Sequence, residues 1–208
     1  LSLHPLRRPA ASLWGLCMAW SVAVAPAAAQ PILSWEPPFK AAAPVRAEYT
    51  PAAPARQPWV LCVVVPHIKD AYWLGVNYGM VEEARRLRVE VQFAEAGGYA
   101  QLAVQRAQIQ ACASDRRVQA PIIGAVSRDV MTPHLRQLTT RMPVIGTVNA
   151  IDDDGISGKV GVDWDDMGRA AGRFLVSQTR AADPPAHVAP YPGPRCATDD
   201  VARASRQG

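Results

Sequence analysis

The chain has 208 residues, 49% of them apolar, with four cysteines, four histidines and a formal net charge of +4. Arg7, Arg8, Arg195, Arg203 and Arg206 lie near the two ends, opposed there only by Asp199 and Asp200, so the stretch between carries about +1. No basic stripe is left to follow a phosphate backbone, which excludes nucleic acid as a partner, and the length allows one substantial core or two small ones.

Residues 1–29 open with Arg7 and Arg8, run through an apolar stretch from about Leu13 to Ala25, and end on Ala27, Ala28 and Ala29. That is the n-, h- and c-region order of a secretory signal peptide. The apolar stretch is too short for a spanning helix of about 20 residues. Export follows, with an oxidising compartment for the cysteines. Residues 30–58 are rich in Pro and Ala and lack periodicity, which predicts an extended arm without helix, disordered as far as about Gln57.

The regular pattern begins at Trp59. "WVLCVVV" (59–65) is apolar and β-branched between Pro58 and Pro66, and predicts a buried parallel strand. Val76, Met80, Val81, Ala84 and Leu87 recur at helical spacing opposite Glu82, Glu83, Arg85 and Arg86, predicting a helix over 72–87. A strand at 89–95, a helix at 101–113, a strand at 120–126 and a helix at 133–141 follow. Strands at 143–149 and 159–164, a helix at 165–180 and the start of a strand at 186–191 complete the pattern. Alternation of this kind predicts an α/β fold, a parallel sheet with helices on both faces and right-handed crossovers.

Little in the chain suggests chemistry on a substrate. His4, His67, His134 and His187 are scattered, and no pair has the spacing of a metal-ligand set. "GGY" (97–99) lacks the Gly-Lys-Ser/Thr of a phosphate loop. Asp152, Asp153 and Asp154 run in series, where calcium loops alternate their ligands, and read as a solvated turn. Ser127 and Ser157 sit in no nucleophile elbow. The expectation is a protein that is not an enzyme and holds neither metal nor cofactor.

The carboxyl ends of the expected strands carry a different set. Asp70, Tyr72 and Trp73 follow the first, Tyr99 the second, and Trp164 the fifth. Parallel strands bring such ends side by side, where open α/β sheets hold ligands. Each ring taken alone reads as packing, but four with a carboxylate predict one crevice. Rings and a carboxylate suit a methylated, cationic nitrogen, held by cation–π attraction.

Four stretches, "KDAYWLGVNYGMVEEARR", "EAGGYAQLAVQRAQIQAC", "PVIGTVNAID" and "GVDWDDMGRAAGRFLV", resemble the trimethylamine N-oxide receptors of the type I periplasmic binding protein superfamily, over about residues 59–194. The resemblance implies a periplasmic two-lobed clamp that reports its ligand state to a sensor histidine kinase. It puts Asp70, Tyr72, Trp73, Tyr99 and Trp164 around the ligand, with the donor to the N-oxide oxygen left open between a phenol and a protonated Asp70. It also implies a disulfide between Cys62 and Cys112. On the same resemblance residues 59–185 form the amino-terminal lobe and 186–194 start the second. Residues 195–208, polar and aperiodic, are then an aberrant disordered tail that truncates the clamp and impairs it. A sugar or amine transport receptor of the same superfamily is the alternative, since rings also stack on pyranose faces.

Overall fold

The computed structural model describes residues 29–36, 39, 44–179 and 187. The expected signal peptide apart from Ala29, and the tail, lie outside the described residues, as does the strand expected at 186–191 apart from His187. No helix among the described residues is long and apolar enough to cross a membrane.

Five strands form one parallel sheet: β3 (Val60–Val65), β4 (Glu90–Glu95), β5 (Ala120–Ile123), β6 (Ile145–Thr147) and β7 (Gly158–Val160), in the order β4-β3-β5-β6-β7. They are preceded by β1 (Gln30–Ser34) and β2 (Val45–Tyr49). The helices are α1 (Ala71–Leu87), α2 (Leu102–Ser114), α3 (Thr132–Leu138) and α4 (Trp164–Gln178), with a 3₁₀ turn over Asp153–Gly155. The α/β class and the parallel sheet expected from the alternation are what the chain forms.

Period-two alternation along β3 divides the core in two. Val63 and Val65 pack with Trp73, Val76 and Met80 of α1. Cys62 and Val64 pack on the other face with Ile109 and Cys112 of α2 and with Leu135 and Leu138 of α3. Val63, Val64 and Val65 are fully buried, as a strand covered on both faces requires. The Cys62–Cys112 disulfide forms across the second core, Cα to Cα 5.9 Å, and fastens α2 to the central strand.

Helix α1 is fixed at both ends. Asp70 is its N-cap, the carboxylate accepting from the Trp73 amide at 2.9 Å, and Arg88 closes it in the left-handed region at φ 58°. Glu83 and Arg86, three apart, form an ion pair near its end.

The described part of the arm is not disordered. β1 and β2 pair antiparallel, Ile32 opposite Ala47, so each strand satisfies the inward-facing half of the other's backbone groups. Two bonds then fasten the segment after them to α1: Arg86 Nη1 donates to Ala52 O at 2.9 Å, and Ala55 N to Leu87 O at 2.8 Å.

Helix α4 departs from the expected lobe in another way. From Asp166 to Gln178 every residue but Gly168 is exposed, including Met167, Phe174, Leu175 and Val176. Among the described residues the cover of the sheet comes from α1, α2 and α3.

Candidate functional site: the carboxyl ends of the central strands

The strand order reverses at β3. From it the chain steps outward to β4, then crosses back over it to β5 and continues the other way. The crevice outside the carboxyl ends of β3 and β5 is therefore the switch point at which open α/β sheets bind ligands. Four loops meet there: 66–70 after β3, 96–101 after β4, 124–126 after β5, and 148–149 after β6.

Two of these loops are sewn together. Ala96 N bonds Val65 O at 3.0 Å, Gly98 N bonds Pro66 O at 2.8 Å, and Lys69 Nζ reaches Gly97 O at 2.7 Å. Gly97 and Gly98 have φ of 94° and 145°, a turn open to glycine alone at low cost.

Trp73, one turn into α1, is only 2% exposed and forms the floor. Its ring lies flush over Gly124: a Cβ added there would stand 2.7 Å from the indole Cη2 and 3.5 Å from Val65 Cγ1. Gly124→Ala is accordingly expected to cost about 1–3 kcal/mol through overpacking, read as a lower thermal midpoint. An unchanged midpoint would mean that the indole moves aside freely.

Tyr99 stands over this floor. Its hydroxyl oxygen accepts from Trp73 Nε1 at 3.2 Å and from Asn149 Nδ2 at 3.4 Å. Asn149 also donates to Ala125 O at 2.8 Å and is 7% exposed. Asn149 is presented by a tight turn in which Val148 takes φ 62° and Asn149 N bonds Thr147 O at 2.7 Å. A β-branched residue in that region is strained, a condition that gathers at ligand sites.

Buried Gln105 of α2 braces the third loop, donating to Gly124 O at 2.9 Å and accepting from Val126 N at 2.8 Å. This explains why the strand expected at 120–126 ends at Ile123. Gly124 N still bonds Val64 O of β3 at 2.8 Å, and from there the Gln105 side chain takes Gly124 O and Val126 N in place of a neighbouring strand. The strand expected at 143–149 likewise ends at Thr147, where the turn at Val148 begins.

Asp70, Tyr72, Trp73 and Tyr99 lie together, with different exposures. Tyr72 is 52% exposed, its ring edge-on to Trp73 at 5.8 Å. Partial burial, and then the nearby Tyr99, push its phenol above the usual range. Asp70 spends one carboxylate oxygen on the helix cap and keeps the other 3.8 Å from His67 Nε2. Trp164 is the first residue of α4, but its side chain lies outside the described residues. Three further residues belong to the assembly: His67, Gln105 and Asn149. Gln105 is detectable in the sequence as a polar interruption of the Leu102, Ile109, Cys112 stripe, and Asn149 as a polar residue closing an apolar strand. His67 gives no comparable signal. Among the described residues no three His, Cys, Asp or Glu side chains converge as a metal site.

A parallel sheet with a switch-point crevice, a disulfide and a floor of rings defines a ligand-binding lobe of the periplasmic receptor class. Residues 58–208 match the family of periplasmic binding proteins and the sugar-binding domain of the LacI family, and the chain belongs to it. It is 43% identical over 140 residues to the periplasmic protein TorT of Escherichia coli K12, covering 67% of this chain and 40% of that one. Among solved structures it is similar to an ABC transporter solute-binding protein from Bradyrhizobium sp. BTAi1 with bound bis-tris. That match has 39% identity and a TM-score of 0.66, covering 74% of this chain and 46% of the other. It is also similar to the complex of the TorS sensor domain with TorT in the presence of trimethylamine N-oxide. Here the identity is 38% and the TM-score 0.53, covering 58% and 42% of the two chains. The chain thus spans about 40% of the length of its curated relative. These relatives are binding proteins of a non-enzyme family, and the compartment is the periplasm.

Proposed function

We propose that the chain is the amino-terminal lobe of a periplasmic receptor for trimethylamine N-oxide or a close methylamine, signalling through a TorS-type sensor histidine kinase and catalysing no reaction. The carrying observation is the Tyr99 hydroxyl. A phenol oxygen has two lone pairs and one proton. Trp73 and Asn149 occupy the acceptor side, so the proton is left to donate outward.

Trimethylamine N-oxide joins an anionic oxygen to a cationic nitrogen with three methyl groups. The oxygen wants a donor, which Tyr99 supplies and an ionised Asp70 does not. The methylated nitrogen, which donates no hydrogen bond, is suited to the exposed face of Tyr72, to Trp164 at the start of α4, and to the free oxygen of Asp70. Trp73 contributes from beneath, holding Tyr99, and offers solvent no ring face. Residues 59–179 act on this reading as the lobe, with 30–58 as an arm that carries a β-hairpin. The relative solved with trimethylamine N-oxide supports this reading.

A second reading has one observation in its favour. The solute-binding relative holds bis-tris, an amine bearing several hydroxyls. Asn149 and Asp70 would suit hydroxyl groups in a transport receptor for such a compound. Calorimetry against trimethylamine N-oxide, bis-tris and a sugar panel separates the two. Saturation by trimethylamine N-oxide is expected, and saturation by hydroxylated ligands alone would overturn the first reading. Tyr99→Phe keeps the ring and deletes the donor, and is expected to weaken binding by about 1.5–3 kcal/mol, the worth of a bond to a charged group. Undiminished affinity in that variant would move the donor elsewhere.

A further inference from the structure

His67 meets three members of this constellation, Asp70, Trp73 and Tyr99. Its ring meets Tyr99 edge-on at 5.4 Å and Trp73 at 6.4 Å, and its Nε2 lies 3.8 Å from Asp70 Oδ2. The side chain is 13% exposed. Its other nitrogen, Nδ1, accepts from the Lys69 backbone amide at 3.3 Å. A nitrogen that accepts carries no proton, so the neutral ring holds its hydrogen on Nε2, toward Asp70.

We infer that His67 is a positioning residue whose protonation withdraws Asp70 from the ligand. This rests on the reading of the site given above. A proton from solvent can enter only at Nδ1. There it faces the Lys69 N–H, donor against donor, and that bond is lost. The imidazolium is then free to close on Asp70, among the described residues the one carboxylate within ion-pair distance, and a cation beside a carboxylate favours its charged, paired form. The same carboxylate oxygen then no longer offers an unshared negative charge to a methylated nitrogen.

The groups facing His67 are few. Asp70 faces it from its own loop, Tyr99 from the loop after β4, and Trp73 from α1. The neighbouring ammonium of Lys69 is spent on Gly97 O. With Asp70 drawn to a protonated ring in this way, the site holds its ligand more weakly in mildly acidic medium than in neutral medium.

His67→Gln provides the test, because a glutamine amide can accept from Lys69 N and donate toward Asp70 without titrating. The wild-type protein, titrated with trimethylamine N-oxide at pH 8 and pH 5.5, is expected to bind roughly three- to tenfold more weakly in acid, up to one pKa unit of coupling. The His67→Gln protein is expected to bind trimethylamine N-oxide at pH 8 and to show no pH dependence. An equal pH slope in both proteins would overturn the inference. So would a variant that melts normally yet has lost binding at pH 8, since His67 would then touch the ligand itself.

A ligand-free measurement separates this inference from the proposed function. In the wild-type protein the Trp73 indole N–H resonance is expected to move with the same midpoint as the His67 ring resonances, and in His67→Gln to stay still. If trimethylamine N-oxide fails to bind at pH 8, the functional reading falls, and the indole titration alone decides the role of His67. A stationary indole in the wild type would end it.

Discussion

Truncating Trp73 to alanine is expected to destabilise the lobe by about 3–5 kcal/mol, the range for deleting a fully buried aromatic side chain. The ring is 2% exposed and fills the space over Gly124 and Val65, so its removal leaves a cavity between α1 and the sheet. It also takes away the donor that the Tyr99 hydroxyl accepts. A domain of this size has about 5–15 kcal/mol in all, so much of the margin goes. Trp73→Phe keeps most of the volume and loses chiefly the hydrogen bond, worth about 1 kcal/mol. Urea unfolding of the two variants decides the matter. Equal, small losses would mean that the indole is a surface ring after all, able to meet a ligand directly.

Loss of the Cys62–Cys112 bridge is the second large effect. It closes a loop of 50 residues, and the chain-entropy model assigns such a loop about 4 kcal/mol. Both half-cystines are about 95% buried, on the strand and the helix that carry the second core. A reductant reaches them only when α2 lifts from β3. Cys62→Ala with Cys112→Ala is therefore expected to lower the urea midpoint strongly, and wild type plus reductant is expected to approach that midpoint slowly. A midpoint within the equivalent of about 1 kcal/mol of wild type would show that packing alone holds α2 down.

The parallel sheet was legible because its strands are apolar runs between turn residues, a local signal. The ends of those strands were not. β5 stops where Gln105 takes Gly124 O and Val126 N, and Gln105 is 19 residues from Gly124. β6 stops at a strained turn that leaves no mark in the letters Thr-Val-Asn. The pairing of β1 with β2 is hidden in the sequence because Pro and Ala obscure their alternation. Trp73 is the instructive case. Beside Tyr72 it reads as a second member of the same cage, yet neighbours on a helix diverge by about 100°, so Tyr72 stands half exposed at the crevice while Trp73 lies buried as its floor. The helical spacing already present in the sequence thus separates an outward Tyr72 from an inward Trp73. His67 in the sequence is one of four scattered histidines, and its contacts arise from three segments that no spacing rule connects.

The bridge has a topological consequence as well as an energetic one. Between Cys62 and Cys112 the chain passes through both sewn loops, 66–70 and 96–101, so these stretches belong to one covalent ring closed by sulfur. A cut in either loop opens the ring without dividing the molecule. Insertions there can lengthen the rim of the crevice while β3 and α2 stay tethered beneath it. The part of the crevice that meets the outside is thereby the part that can be broken, extended or rewritten at least risk to the frame that carries it.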